Sequence, residues 1–385
     1  MPAKKLGFYE FFAGGGMARI GLGSRWECLF ANDNSAKKAW AYKENFSSSN
    51  HFILEDIAKL TVDHLPGNPV LSWASFPCQD LSLAGDRGGL KAKRSGTFWA
   101  FWELMKDMSG DGRPVPFVVL ENVVGAITSN GGKDFDSLIR ALMEEGYNVG
   151  PFVMDAVKFV PQSRPRLFIV ALKNNITIPD KIINNKPQES LHSKSIRHSF
   201  SKLPQNFQDK WIWWNLPDPP QRQLTLADVI EDNPEDVAWH NSEETDYLLS
   251  LMSGPNINKV KEAMRSKKKI YGTIYRRTRT NRDGENVQRA EVRFDQISGC
   301  LRTPAGGSSR QILLEVKGKR VRSRLISARE TARLMGAPDS YQLPARYNEA
   351  YHLMGDGVVA PVVSWLEKSL LHPLIRSAKR LSEIE

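Results

Sequence analysis

Short apolar runs alternate with amphipathic stretches over about the first 170 residues of the chain. The apolar runs predict strands that lead into glycine-rich or polar turns, at Phe8–Ala13, Cys28–Ala31, Val70–Trp73, Phe117–Leu120 and Leu167–Leu172. Helical spacing lies between them, at Ser35–Asn45 and Phe135–Glu145. Strands that alternate with helices predict an α/β fold with a parallel sheet covered on both faces, in which ligands bind at the carboxyl ends of the strands.

The pattern changes near residue 175, where polar and proline-rich stretches replace the regular alternation. Helical spacing returns only at Ser327–Met335 and again at Ala360–Leu371. We therefore predict a first domain at residues 1–178, a smaller second domain at 179–325 and a C-terminal segment at 326–385 that returns to the first domain.

Positive charge is concentrated in one part of the second domain. The whole chain has 53 Lys and Arg against 43 Asp and Glu, and residues 259–293 alone carry a net charge of +8. This segment favours a surface that follows a phosphate backbone, the alternative being a solvated charged face. The predicted DNA contacts in it are Lys267, Lys268, Lys269, Arg276, Arg277 and Arg279.

The three cysteines, Cys28, Cys78 and Cys300, are too few and too scattered for a disulfide framework. The absence of C-x-x-C and H-E-x-x-H patterns predicts no metal site. No apolar run approaches the ~18–20 residues that span a bilayer, and Glu10 interrupts the start of any signal-peptide core. We therefore expect a cytoplasmic protein without a membrane partner, associated with the nucleoid if its charge binds DNA.

A glycine loop, Phe11–Gly16, follows the first predicted strand. Glycines allow a ligand to approach the backbone, and the following helix offers free N–H groups, although Arg19 stands where a dinucleotide loop has its third glycine. Asp33 ends the next strand, where a carboxylate accepts hydrogen bonds from ribose hydroxyls, and Asp56 could bind a purine amino group. Together these residues favour an adenosine-containing cofactor over an ordinary glycine turn.

A second set of residues follows later strands of the same sheet. Ser75–Gln79 forms a proline-stiffened loop that presents Cys78 at the carboxyl edge, where an accessible thiolate can act as a nucleophile. Leu120–Val123 ends another strand with a glutamate and an asparagine, and Gln162–Arg166 adds two arginines. The alternatives are a structural cap for the glutamate and a solvated hairpin for the arginines.

The chain resembles the bacterial-type DNA (cytosine-5)-methyltransferases in five motifs and in their order. The motifs are F-A-G-G-G, F-P-C-Q, E-N-V, Q-x-R-x-R and, at 324–339, R-x-x-x-x-R-E-x-A-R-L-M-G-x-P-D. The resemblance covers Phe8 to about Leu172 and about Ile297 to Trp365. Two positions depart from the family pattern: Glu10 replaces an aspartate, and Asp356 replaces the asparagine of Gly-Asn-x-Val.

The resemblance implies a Rossmann-like, S-adenosylmethionine-dependent methyltransferase sheet with a smaller target-recognition domain. It implies that Cys78 adds to C6 of a flipped cytosine, that Glu121 contacts N3 and that Arg166 holds O2. Arg164 would assist the loop or the phosphates, and Gln79 and Ser82 would stabilise the flipped state. The residues implied to bind S-adenosylmethionine are Phe12, Gly14, Gly16, Asp33, Asp56, Ile57, Pro77, Thr97, Asp356 and Val358.

The implied partner is double-stranded DNA with a short recognition sequence, bound by a monomer that modifies the sites of a companion restriction endonuclease. Two other functions are alternatives to this one. A nicotinamide oxidoreductase would leave the motifs around Cys78 and Glu121 unexplained. A catalytically inactive DNA-binding relative would not need Cys78, Glu121, Arg164 and Arg166 intact.

Overall fold

The computed structural model describes residues 5–47, 49–77, 96–280, 284–302 and 310–382. Cys78, Gln79 and Ser82 therefore lie outside the described residues. The chain divides into two compact units. Unit 1 comprises Met1–Met154, Pro165–Asp218 and Val362–Glu385, and unit 2 comprises Asp155–Arg164 and Pro219–Pro361. These boundaries, at residues 218 and 361, lie beyond the predicted ones at 178 and 325.

Thirteen strands lie in the described residues. They are β1 Leu6–Phe11, β2 Trp26–Asp33, β3 Phe52–Leu54, β4 Leu71–Ala74, β5 Phe117–Val123, β6 Tyr147–Asp155, β7 Pro165–Lys173, β8 Ile183–Asn184, β9 Trp213–Trp214, β10 Ile270–Thr280, β11 Asn286–Arg293, β12 Ile312–Lys317 and β13 Arg320–Leu325. The five predicted strands correspond to β1, β2, β4, β5 and β7, whereas β3 and β6 were not predicted.

Thirteen α-helices lie in the same part of the chain. They are α1 Met17–Leu22, α2 Ala36–Asn45, α3 Thr97–Gly110, α4 Lys133–Glu144, α5 Lys194–Lys202, α6 Gln205–Gln208, α7 Leu226–Val229, α8 Ser242–Ser250, α9 Gly254–Met264, α10 Ala328–Leu334, α11 Tyr347–Asp356, α12 Ala360–Leu366 and α13 His372–Ser382. A π-helical turn, Glu367–Leu371, joins the last two. The predicted helices at Ser35–Asn45, Phe135–Glu145 and Ser327–Met335 correspond to α2, α4 and α10.

Unit 1 is built on a seven-stranded sheet of order β3-β2-β1-β4-β5-β7-β6. Strands β3, β2, β1, β4 and β5 pair in parallel, as predicted. Strand β7 pairs antiparallel with β5, which the sequence analysis did not predict. The connection from β6 to β7 is shorter than the crossover that a parallel neighbour requires, so the chain direction reverses at this edge.

Apolar residues fill both sides of this sheet. Strand β5 is buried over six consecutive positions, as expected of a parallel strand covered on two faces. Helix α3 contributes Phe98, Phe101 and Trp102 to the core, and α4 contributes Leu138 and Leu142 at helical spacing. This packing fixes the strand ends, and therefore the positions of the side chains that follow them.

Unit 2 contains an antiparallel sheet of order β11-β10-β12-β13. One face of this sheet packs on α8 and α9, where Leu248 and Val260 contact Ile274, Val292 and neighbouring apolar residues. The sequence pattern predicts no elements here, because only the inner parts of β10 and β11 are buried.

One helical stretch, Tyr347–Ala378, is long and apolar enough by length and composition to cross a membrane, which the sequence analysis did not anticipate. Within the 18-residue window that passes this test, 67% is buried inside the protein. This burial is what a core helix of a folded domain shows.

Candidate active site

The carboxyl ends of the parallel strands bring the predicted cofactor residues of unit 1 to one edge of the sheet. Phe12 follows β1, Asp33 ends β2, Asp56 follows β3 and Pro77 follows β4. Glu121 lies near the end of β5. Parallel strands end on the same side of a sheet, so these side chains lie along the same carboxyl-terminal end of the sheet, which we call the rim.

The glycine loop holds an unusual backbone conformation. Phe12 has φ 55°, a value that is uncommon for a residue with a side chain and that marks strain often found at functional sites. Gly14 also has φ 55°, and a Cβ added there would meet no atom of the described residues within 4 Å. Gly16 has φ 76°, and a Cβ there would lie 2.2 Å from the Phe46 ring. Gly16 is therefore required for packing, whereas Gly14 borders open space.

Asp33 ties the glycine loop to the start of α2. One carboxylate oxygen accepts a hydrogen bond from the Gly14 backbone N–H at 3.0 Å, and the other accepts one from Ser35 N–H at 2.9 Å. The residue is only 6% exposed. Each carboxylate oxygen has a second lone pair, so Asp33 can still accept from two hydroxyl groups.

The end of β3 is held by a side chain that the sequence analysis did not single out. The Asn32 amide donates to the carbonyls of Ile53 and Glu55 at 3.0 and 2.9 Å. Just beyond, exposed Asp56 accepts a hydrogen bond from Ala58 N–H at 2.9 Å and caps the turn that contains buried Ile57. Asn32 thereby positions the two residues predicted to contact adenine.

Thr97 begins α3, and its hydroxyl is buried without a hydrogen-bond partner among the described residues. A buried hydroxyl is expected to find a partner, and a ligand is one source of it. This hydroxyl, the spare lone pairs of Asp33 and the open space at Gly14 fit the hydroxyl and amino groups of S-adenosylmethionine.

Glu121 and Arg166 form a largely buried ion pair across β5 and β7. The Arg166 Nε lies 3.2 Å from a Glu121 carboxylate oxygen, and the two side chains are 15% and 7% exposed. The antiparallel register, with Val123 opposite Arg166, places them on neighbouring strands. A carboxyl and a guanidinium side by side can contact adjacent polar atoms of one planar ring.

Asn122 connects this pair to the loop that leads to Cys78. Its amide donates to the Phe76 carbonyl at 3.0 Å, and its oxygen accepts from Val123 N–H at 2.8 Å. The E-N-V triplet therefore has two structural tasks, because Glu121 forms the ion pair and Asn122 fixes the backbone just before Pro77.

Arg164 lies in unit 2 and is 2% exposed. Its guanidinium donates to the carbonyls of Leu301 at 2.8 Å and of Gly355 and Gly357 at 2.7 Å. These bonds hold the turn that carries exposed Asp356. They indicate a positioning role for Arg164, and its contact with phosphates stays a prediction.

Gln162, from the same motif, was not proposed as a site residue. It is fully buried, donates to the Leu334 carbonyl at 2.8 Å and accepts from Leu301 N–H at 3.0 Å. It joins this motif to the C-terminal part of unit 2, which also contains buried Val358. Only its place in the motif could have indicated this.

The predicted DNA contacts differ in their surroundings. Lys267 and Lys268 are exposed on the turn before β10. Lys269 is ion-paired, with its Nζ 3.2 Å from Asp232 and 3.8 Å from Glu315. Of the arginines of β10, Arg276 is partly buried, Arg277 pairs with Glu291 at 2.6 Å and Arg279 is exposed.

Beneath the glycine loop lies a buried polar cluster around Glu10. Its carboxyl is 1% exposed and accepts from the Arg19 backbone N–H at 3.2 Å. Burial raises the pKa of Glu10 to about 8. The Arg19 guanidinium contacts the Tyr42 hydroxyl at 3.0 Å and His51 at 3.1 Å, and Tyr42 donates to Cys28 at 3.3 Å. The cluster joins α1, α2 and β2.

We expect the protein to lose stability as the pH rises through the range in which Glu10 ionises. The folded chain holds a proton on Glu10 up to about pH 8, whereas the unfolded chain releases it near 4.5, so the free energy of unfolding falls between these values. The Glu10→Gln variant has no ionisable carboxyl at this position, so its stability lacks this dependence on pH. Urea unfolding at about pH 6.5 and about pH 8.5 should show wild type losing about 2 kcal/mol more than the variant. Equal losses would contradict a buried, titrating Glu10.

The sequence matches the family of C-5 cytosine-specific DNA methylases over residues 6–372. It is 27% identical to the type II methyltransferase M1.ScrFI of Lactococcus lactis subsp. cremoris over 375 residues, 96% of this chain and 79% of that protein. It is 26% identical to the type II methyltransferase M.HpaII of Haemophilus parainfluenzae over 392 residues, 96% of this chain and 90% of that protein.

Solved structures have the same fold. The methyltransferase EhMeth of Entamoeba histolytica superposes with a TM-score of 0.61 at 13% identity, covering 97% of this chain and 99% of that one. The Dnmt2 methyltransferase of S. pombe gives 0.57 at 18% identity, covering 96% and 99%. Because the family match spans nearly the whole sequence, the chain belongs to the C-5 cytosine-specific DNA methylase family and is a DNA (cytosine-5)-methyltransferase.

Proposed function

We propose that this enzyme flips a cytosine out of duplex DNA and methylates C5 through a covalent bond between Cys78 and C6. The Glu121–Arg166 pair carries the proposal, because Glu121 lies on β5 beside Asn122, and Asn122 fixes the backbone just before Pro77. A carboxyl and a guanidinium, together with the nucleophile that follows Pro77 in the sequence, are the groups that activation of a pyrimidine ring requires.

The chemistry follows from the weakness of cytosine C5 as a nucleophile. The Cys78 thiolate adds to C6, and the electron pair of the C5–C6 double bond is shared between C5 and the neighbouring C4 and N3 atoms of the ring. C5 can then take the methyl group of a sulfonium, which leaves as a neutral thioether. Loss of the C5 proton to a base expels the thiolate and restores the double bond.

Glu121 and Arg166 act on the opposite edge of the ring. The Glu121 carboxyl donates a hydrogen bond to N3 as electron density builds there, and Arg166 donates to O2. Their mutual contact at 3.2 Å holds both groups in place before the base arrives, which lowers the cost of ordering them.

We assign the methyl donor to the glycine loop and to the residues that follow the strand ends of unit 1, and we add the two residues that the sequence motif Gly-Asp-Gly-Val supplies. S-adenosylmethionine supplies a methyl group activated by a sulfonium. Asp33 accepts hydrogen bonds from the ribose hydroxyls. Asp56 and Ile57 contact the adenine. Phe12, Gly14 and Gly16 line the pocket. The remaining assigned residues are Pro77, Thr97, Asp356 and Val358.

Duplex DNA hides the target base, so the protein must extrude it at a cost of a few kcal/mol. We assign Gln79 and Ser82 to the gap that the flipped base leaves in the DNA duplex. We assign unit 2 to recognition of the DNA sequence. The relatives M1.ScrFI and M.HpaII are named type II methyltransferases, which supports a role as the modification enzyme beside a restriction endonuclease.

The test is methyl transfer by the purified full-length protein. Duplex DNA incubated with S-adenosylmethionine should gain 5-methylcytosine at one short sequence, as read by sequencing of methylated cytosines. Methylation at cytosine N4 or adenine N6, or none at all, would contradict the proposal.

Asp33→Ala should weaken the binding of S-adenosylmethionine about tenfold or more, because hydrogen bonds to a carboxylate contribute about 1.5–3 kcal/mol. Binding of DNA should be nearly unchanged. Isothermal calorimetry measures the first and a mobility-shift titration the second. The exposed Asp107 on α3 offers a matched control, Asp107→Ala, which should bind the cofactor like wild type. Equal cofactor affinity for Asp33→Ala would remove this residue from the site.

A further inference from the structure

Strands β10 and β11 form a two-stranded ribbon that extends beyond the rest of their sheet. Strand β10 pairs with β12 from Ile270 to Ile274. From Tyr275 to Thr280 its pairing continues with β11, from Glu291 back to Asn286. Six residue pairs at about 3.3 Å each make a ribbon of about 20 Å.

The register divides the side chains of this ribbon between two faces. Directly opposed residues share a face, and successive residues alternate. We call one side the arginine face; it consists of Tyr275, Arg277, Arg279, Val287, Arg289 and Glu291. We call the outer part of the other side the neutral face; it consists of Thr278, Thr280, Asn286 and Gln288. Arg276 and Ala290 precede the neutral face and lie nearer the core.

The two faces differ in charge although both are accessible. The arginine face has three guanidinium groups against the single carboxylate of Glu291, and Arg279 and Arg289 are exposed. Arg302 adds a fourth cation, since its guanidinium lies 5.8 Å from the centre of the Tyr275 ring. The four residues of the neutral face are exposed and uncharged, and Arg276, which lies on the same side nearer the core, is partly buried. A polyanion therefore meets a favourable potential on one face of the ribbon.

We propose that the arginine face enters the major groove of the substrate DNA, with Arg279 and Arg289 on phosphates and Arg277 on a base edge. This inference rests on the proposed function. A major groove is about 12 Å wide and admits a two-stranded ribbon. The neutral face then points away from the base pairs.

Arg277 is the base-reading residue because its guanidinium is fixed before DNA binds. One nitrogen donates to Glu291 at 2.6 Å, and the group lies 5.4 Å from the centre of the Tyr275 ring. A guanidinium has five N–H donors, so this bond leaves others for a base. The O6 and N7 atoms of guanine accept two parallel hydrogen bonds from arginine, which makes guanine the expected base.

The inference is tested on the full-length protein with two sets of variants. Arg279→Gln combined with Arg289→Gln should reduce the slope of log affinity against log salt by about 2, on DNA with or without the recognition sequence. Arg277→Lys keeps the charge but loses the paired donors. It should keep the salt slope and relax the preference for one guanine roughly tenfold to hundredfold in sequencing of methylated cytosines.

Thr278→Ala and Gln288→Ala, on the neutral face, are the matched controls and should change neither the salt slope nor the methylated sequence. If these controls relax the sequence preference while Arg277→Lys does not, the faces are assigned the wrong way round and the inference is overturned. An unchanged salt slope in the Arg279 and Arg289 double variant overturns it as well. Wild-type methylation is measured first, because failure there defeats the proposed function itself, whereas a methylating wild type with unaffected variants defeats only the assignment of the ribbon.

Discussion

Cys78→Ser should lose methyl transfer by several orders of magnitude while it still binds DNA and S-adenosylmethionine, because removal of an enzyme's nucleophile forfeits the covalent route. A free thiol ionises near pH 8.5, and serine is a much weaker nucleophile at neutral pH. Transfer of tritiated methyl groups measures the loss, and mobility shift and calorimetry measure binding. Full activity of the serine variant would refute the covalent mechanism.

The other two cysteines provide the controls. Burial raises the pKa of Cys28 to about 12, and its sulfur donates to the Phe30 carbonyl at 3.3 Å, so it is an inert packing residue. Cys300 donates to the Leu301 carbonyl at 3.4 Å and contacts the Arg164 guanidinium at 3.5 Å. We expect Cys28→Ser and Cys300→Ser to retain methyl transfer, with some loss of packing.

A covalent trap identifies the attacked atom. Duplex DNA with 5-fluorocytosine at the target should accumulate a stable adduct, because fluorine cannot leave C5 as the proton does. Mass spectrometry of the digested complex should place the adduct on the peptide that contains Cys78. An adduct on a peptide that contains Cys28 or Cys300 would assign the nucleophile elsewhere.

The sequence predicted the central strands well because they are buried on both faces. A continuous apolar run such as Phe117–Leu120 is typical of a parallel strand that is covered on both faces, and β5 is such a strand. The run Phe8–Ala13 continues two residues past β1, since Phe12 and Ala13 belong to the glycine loop. Asp33 was correctly expected to end its strand, where its carboxylate accepts hydrogen bonds from the backbone N–H groups of Gly14 and Ser35.

Three features were beyond single-sequence reasoning. Strand β10 has no alternating apolar pattern in its outer half, because both faces of the ribbon are accessible there. The direction of β7 depends on its pairing with β5, which is a tertiary contact. The two arginines of Q-x-R-x-R read alike in the sequence, yet Arg166 pairs with Glu121 while Arg164 binds carbonyls up to 193 residues away.

Glu121→Gln should reduce the turnover rate of methyl transfer about 100-fold or more, which is the usual loss when a group that assists proton movement is removed. Glutamine keeps the shape of the side chain but cannot supply a carboxyl to N3. It also leaves Arg166 without its anionic partner in a site that is mostly buried. We therefore expect the turnover rate to fall and the affinity for S-adenosylmethionine to stay within about twofold, since Asp33 and Thr97 lie on other elements of the rim.

The exposed pair Glu103–Lys106 on α3, at 2.6 Å, provides the matched control. Glu103→Gln removes a carboxylate from an ion pair without touching the site, and exposed pairs contribute little to stability, so turnover should not change. A purely structural role for Glu121 would appear as a lower melting temperature and weaker cofactor binding with unchanged turnover per folded molecule. A catalytic role lowers turnover per folded molecule and changes its pH profile, whatever the change in melting temperature. Arg166→Lys separates the two further: it keeps the positive charge beside Glu121 but loses the planar donor fork, so turnover should fall although the ion pair is retained.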